Sequence, residues 1–355
     1  MVDEIECVAS ILLAILLAHL IGAHNVAWAA FTSFVLMRGH VSETLLRGLM
    51  RLAGTALGAG LALLIVPYAV RSLPASVAAA AIIGFVGLYG MLTARRAYAW
   101  FLFGLTFEMI LLDKLEHPAV NAIAFVETRL LEVAAGTVAC VAISLLTTLT
   151  ARRRWPGPPA APATRIGWHP DAARHAAQAG VTLALLPVLH ALFNIPELQQ
   201  AGVTIMAVMV VPVSGLGASG LAPVSRRLLY RTLGCLGGAA LAAAILFLAH
   251  GFAAHGAPIL IAGTCLGVVI GRHIENGGKR TTYLGLQFTL AILVTLVPDS
   301  YSDAAIRPAL ERLASIFIGM ALLEPVLLAW HFLVPRGKFV EEVVRDPVPD
   351  SLSGD

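Results

Sequence analysis

Twelve apolar runs follow one another along this chain of 355 residues, at about 5–22, 25–37, 52–70, 74–94, 97–112, 128–150, 174–193, 198–213, 228–250, 256–271, 281–298 and 309–334. They fix the solvent before anything else is known, because a helix needs about 20 mostly apolar residues to cross the hydrocarbon of a bilayer. In lipid every backbone amide and carbonyl must be paired internally, which leaves helices or a closed barrel. The runs lack the period-2 alternation of barrel strands, so helices remain. Hydrophobic residues make up 58% of the chain and charged residues 13%, about half the charge of a soluble domain. The expected fold is an all-α polytopic membrane protein with about 12 transmembrane helices.

The runs occur as two sets. Arg47, Arg51, Gly54 and Gly58 return as Arg227, Arg231, Gly234 and Gly238, an offset of 180 residues. Gly104-Leu105-Thr106-Phe107 returns as Gly285-Leu286-Gln287-Phe288, and Arg129 with Gly136 returns as Arg312 with Gly319 at an offset of 183. An ordered series of echoes with so little drift is the mark of a tandem duplication, a common construction for transporters.

Charge placement then predicts orientation. With twelve spans, 19 of the 24 Lys and Arg residues fall on one side and 5 (Arg71, Lys114, Arg129, Arg307, Arg312) on the other. The positive-inside rule therefore places both termini in the cytoplasm. Two parallel six-helix repeats follow, related by a pseudo-twofold axis along the membrane normal. The expected boundaries are a first repeat at 1–150, a Pro/Ala/Arg-rich cytoplasmic linker at 151–173, a second repeat at 174–335 and a cytoplasmic tail at 336–355.

Several classes are set aside. The leading segment of the first apolar run carries Asp3, Glu4 and Glu6 and no Lys or Arg, so it reads as an uncleaved helix, not a secretory signal. Cys7, Cys140, Cys235 and Cys265 lie in apolar runs without Cys-x-x-Cys spacing, and the eleven histidines show no ligand spacing, so no metal is expected. Gly215-Leu216-Gly217-Ala218-Ser219-Gly220 fits a dinucleotide fingerprint but follows a membrane run and not a strand, and there is no Walker motif. The expectation is a protein that is not an enzyme, takes no cofactor and binds no nucleic acid.

Trp28-Ala29-Ala30-Phe31-Thr32-Ser33, Arg47, and Arg51-Leu52-Ala53-Gly54-Thr55-Ala56-Leu57-Gly58 together resemble the fusaric acid resistance, or aromatic acid exporter (FUSC), family of bacterial inner-membrane proteins, with plant aluminium-activated malate channels among its wider relatives. The resemblance covers about 1–335 and is best in the first six helices. Many members place a large soluble domain after a six-helix block; this chain resembles a compact version with two membrane blocks. The resemblance implies efflux of small, often aromatic, carboxylic acids across the inner membrane, in some members with a periplasmic adaptor and an outer-membrane channel.

The charged residues suggest a division of labour. Arg129 and Arg312, at equivalent places inside the sixth helix of each half, are expected to attract an anion; the plainer alternative is local pairing with Glu132 or Glu311. Arg47, Arg51, Arg227 and Arg231 could draw an anion in from the cytoplasm or simply anchor the helices at lipid phosphates. Glu108 and Glu324, carboxyls inside apolar runs, and Glu132 are the candidates for proton coupling, with polar packing as the alternative. Gly54/Gly58 and Gly234/Gly238 are expected to pack helices. The leading expectation is a proton-driven exporter of small organic anions; a passive anion channel and a non-transporting membrane subunit are the alternatives.

Overall fold

The computed structural model describes residues 2–119, 121–155, 167–195, 198–216, 220–252, 255–278, 281–301 and 305–333, and all regular structure within them is helical. The helices are α1 (Val2–Leu20), α2 (Val26–Leu36), α3 (Val41–Ala69), α4 (Leu73–Thr93), α5 (Ala97–Glu116), α6 (Ala122–Leu149), a single turn α7 (Ala151–Arg154), α8 (Pro170–Phe193), α9 (Leu198–Met209), α10 (Leu221–Gly251), α11 (Gly256–Asn276), α12 (Thr282–Leu296) and α13 (Arg307–Leu333). Each apolar run falls within or across one of the twelve longer helices. Most of the expected linker, at 156–166, and the expected tail lie outside the described residues.

The helices are not equally able to cross a membrane. Seven of them, α3, α4, α6, α8, α10, α11 and α13, are long and apolar enough to do so. α2 and α9 have 11 and 12 residues, so at 1.5 Å per residue they reach about 16–18 Å, little more than half of the hydrocarbon. Of the twelve expected transmembrane helices, the second of each set is thus a short segment. An asparagine in the left-handed region stands in each connection, Asn25 (φ 58°) at the start of α2 and Asn194 (φ 49°) at the end of α8, a conformation that Asn tolerates better than most side chains.

Glycine decides which helices approach closely. A Cβ at Gly54 or Gly58 would land on the carbonyl oxygens of Ala99 and Phe103 in α5, and one at Gly234 or Gly238 on those of Leu284 and Phe288 in α12. Both glycine pairs thus pack helices, by backbone-to-backbone approach. Because the successive glycines meet successively later residues, α3 runs in the same direction as α5, and α10 in the same direction as α12.

Contacts between the two sets also come in matched pairs. α4 packs along α8 and α11 along α1; α5 touches α9 and α12 touches α2. At one face of the bundle Asp299 Oδ1 accepts from the Val26 amide at the start of α2, 2.8 Å. The corresponding carboxylate, Glu116 Oε1, accepts from the Leu198 amide at the start of α9, 2.7 Å. Each acid satisfies an amide that the first turn of a helix leaves without an intrahelical partner. Glu116 and Asp299 are 183 residues apart, the same offset as Arg129 and Arg312.

The opposite face is tied by ion pairs. Arg272 near the end of α11 bonds Asp3 at the start of α1 (Nε to Oδ2, 2.6 Å) and approaches the Met37 carbonyl at 3.5 Å. α1 begins and α2 ends on the same side, as a returning hairpin requires. Arg152 in α7 donates to Glu6 at 2.9 Å and to Asp3 at 3.1 Å, fastening the end of the first set to its own beginning.

Candidate functional site

The stripe that carries the glycines of α3 also carries its arginines. Residues 47, 51, 54 and 58 repeat at helical spacing and share one face, so the close approach of Gly54 and Gly58 to α5 also brings the two guanidiniums to the start of that helix. Arg51 donates to the Tyr98 hydroxyl at 2.8 Å and lies 5.3 Å from the Phe31 ring, while Arg47 lies 5.9 Å from the Tyr98 ring. The same geometry returns in the second set. Arg227 sits 4.0 Å from the Tyr283 ring, and Arg231 donates to Tyr283 (3.4 Å), Gln287 (3.0 Å) and Thr204 (3.1 Å).

Tyr98 directly precedes Ala99, which meets Gly54, and Tyr283 directly precedes Leu284, which meets Gly234, so the two sets make the arginine–tyrosine contact from the same rung, although the Gly-x-x-Phe echo in the sequence sets the two tyrosines one helical turn apart.

These groups close around an inner cavity of about 260 Å³. Its wall is made by Trp28, Phe31 and Val35 of α2, Arg47 and Arg51 of α3, and Tyr98, Phe101 and Leu105 of α5. Val203 and Ala207 of α9, Arg227 and Arg231 of α10, Tyr283, Gln287 and Val294 of α12, and Arg312 of α13 complete it. The short helices α2 and α9 both line it, which is where broken or shortened segments in matched positions place binding sites in repeat transporters. Five of the six arginines singled out in the sequence meet here. Arg51, Arg231 and Arg312 are 4%, 2% and 7% exposed. Outside the helices, burial first, with Arg47 and Arg272 adding to it, pushes the Arg38 guanidinium down to about 10.

A second, outer cavity of about 500 Å³ lies against the first and shares Ala27, Trp28, Val294 and Arg312 with it. It is lined by Arg129 and Arg312, by three acids, Asp113, Asp299 and Glu311, and by Asn25, Gln199 and Gln200. The formal charge of its lining is −1 (two cations, three carboxylates), against +5 for the inner cavity, whose described lining holds five arginines and no carboxylate.

Arg129 and Arg312 therefore sit in different surroundings. Arg129 is paired with Glu132 at 3.1 Å and stacks 4.1 Å from Trp28 and 5.1 Å from Phe125. Arg312 donates to Gln287 at 3.3 Å, and the neighbouring Glu311 pairs with Arg307. Among the carboxyls, Glu132 is fully buried, with its other oxygen unbonded. Glu108 is 1% exposed with both oxygens unbonded, near the Leu183 side chain where α4 meets α8. Glu324 is half-buried. None of the three is among the residues that line these two cavities, and Glu132 is joined to the outer one through Arg129.

Trp28, Phe31, Tyr98, Tyr283 and Gln287 complete the site. Their sequence signal is weak, since a single aromatic in an apolar helix looks like core; only the Trp28 motif and the echo of Gln287 opposite Thr106 marked those positions. Among the described residues no cluster of His, Cys, Asp and Glu could hold a metal ion.

Comparison with known families matches residues 13–153 to the family described as fusaric acid resistance protein-like. Comparison with curated proteins and with solved structures returns no match. The matched segment carries Trp28, Arg47, Arg51 and Arg129 and is similar to that family over those residues alone, and with seven helices long and apolar enough to cross a bilayer the chain is a multi-pass helical membrane protein.

Proposed function

We propose that the protein exports small aromatic carboxylates across the bacterial inner membrane, with its two six-helix repeats parallel and both termini cytoplasmic. The observation that carries this reading is the inner cavity: five arginines drawn from both halves, no carboxylate among its described lining, and aromatic walls at Trp28, Phe31, Tyr98 and Tyr283. Guanidiniums recognise a carboxylate by charge-assisted hydrogen bonds, and the rings offer faces and edges to an aromatic body. The charge contrast orders the path, and the proton gradient gives it direction. An anion is attracted into the inner cavity on the side of Arg47 and Arg227, and finds no net attraction in the outer cavity, where it leaves.

Of the three carboxyls considered for coupling, Glu132 is the one joined to the path. A proton arriving from the outer cavity neutralises Glu132 and releases Arg129 from its ion pair, so that Arg129 can take the anion past Trp28. Loss of that proton toward the cytoplasmic side restores the pair and expels the anion into the outer cavity, so that one proton moves inward as one anion leaves. Glu108 and Glu324 stand behind the helices that line the path and act, in this reading, as packing groups.

Inside-out membrane vesicles containing the protein should accumulate labelled benzoate when their interior is made acidic. Passive diffusion of the weak acid runs the other way, so accumulation is specific to the protein. Replacing Arg51 and Arg231 together by Gln should lower the rate at least tenfold, a loss of about 1.4 kcal/mol or more. No accumulation above protein-free vesicles would contradict the reading, and equal flux without a gradient would mark a passive channel.

A further inference from the structure

The inner cavity concentrates charge beyond what its own side chains balance. Arg47, Arg51, Arg227, Arg231 and Arg312 line it with no carboxylate among the described lining residues. The acceptors found for them are neutral: the Tyr98 and Tyr283 hydroxyls, Gln287, Thr204 and the Ala207 carbonyl. The Nε donors of Arg51, Arg227, Arg231 and Arg312 are buried without an acceptor, and three of these four residues are more than nine-tenths buried. Desolvation and mutual repulsion both act against such a cluster, and a buried cation persists where an opposite charge or water compensates it.

We propose that this cavity is a resident site for a small inorganic anion, of the size and charge of chloride or bicarbonate. The anion neutralises the arginines between transport events, and the organic substrate enters by displacing it. Its donors are the guanidiniums that line the cavity, contributed by both halves at once, and the aromatic walls that accommodate a substrate ring give a spherical or trigonal ion nothing further. The two ligands therefore compete for the same guanidiniums, and the organic anion wins by the contacts of its ring. The inference deepens the proposed transport reading and rests on it only for the displacement step.

The test uses the purified full-length protein in detergent, melted at constant ionic strength as sodium gluconate is replaced stepwise by sodium chloride, bicarbonate or phosphate. The unfolding midpoint should rise and saturate with at least one of the small anions, and the arms identify which. Arg231→Gln should flatten that rise while melting in gluconate at or above the wild type, because removing a charge relieves repulsion; a purely structural arginine would melt lower. Should that variant fail to fold, Arg47→Gln, at a half-exposed position on the rim, is read in the same way. In reconstituted vesicles the KM for benzoate should rise about tenfold at an anion concentration ten times its dissociation constant, with the maximal rate unchanged. Superimposable melts in all four salts, or a KM indifferent to the small anions, would overturn the inference even if benzoate is transported. Saturable stabilisation without benzoate transport would instead leave the resident ion in place and remove the transport reading.

Discussion

Arg129 and Arg312 show how far two residues can share a place in the sequence and differ in chemistry. The 183-residue offset marks them as equivalents, and acids lie nearby in both halves. Only Arg129 keeps a local partner, Glu132 at 3.1 Å, whereas Arg312 turns to the neutral Gln287. The reason lies with the acids: Glu132 is a turn away on the same face, while Glu311 is adjacent in sequence, points elsewhere on the helix and pairs with Arg307. Breaking a buried pair from one side leaves an uncompensated charge, at about 3–5 kcal/mol. Glu132→Gln should therefore lower the unfolding midpoint clearly, and Arg129→Gln added to it should restore most of the loss. Equal destabilisation in the single and double variants would show that the pair is not the source. The arginines were legible in the sequence because charge in an apolar run stands out. Tyr98 and Tyr283 were not, because their function depends on which arginine lies across a helix interface.

At the scale of the element, the glycine stripe is what turns sequence into a site. Gly54 and Gly58 let α3 ride directly on α5, and the arginines on the same stripe are placed by that contact. Gly58→Ala puts a methyl group onto the Phe103 carbonyl, with overpacking of about 1–3 kcal/mol, and should reduce both thermal stability and transport. Gly60 faces open space, so Gly60→Ala is the matched control and should leave both unchanged. If the two variants behave alike, close packing is not what Gly58 provides. This stripe was readable in advance, since Gly-x-x-x-Gly and Arg-x-x-x-Arg each have helical spacing and occur twice. The shortness of α2 and α9 was less so. Apolar residues continue past their ends, at 210–213 for example, and hydropathy alone does not register the asparagine turns that precede them.

For the whole molecule, the proposed path requires two halves that point the same way and meet around one cavity. The amide caps from Glu116 and Asp299 tie each half to the short helix of the other. Nothing local in the sequence announces them, because donor and acceptor are 82 and 273 residues apart; the shared offset of the two acids becomes meaningful once the partners are known. The orientation predicts labelling by membrane-impermeant thiol reagents. Cysteines at Arg95 and Gly277 should react from the cytoplasmic side, and cysteines at Gly22 and Pro118 from the opposite side. Reaction of Arg95→Cys and Gly277→Cys from opposite sides would contradict parallel halves.

The central claim, that arginines from both halves hold one aromatic carboxylate in the inner cavity, is tested most directly by calorimetric titration of the purified protein with benzoate. The account predicts a single site, about tenfold weaker binding in Arg51→Gln and again in Arg231→Gln, loss of measurable binding in the double variant, and no binding of uncharged benzyl alcohol. Binding of benzoate to the double variant with wild-type affinity would contradict it.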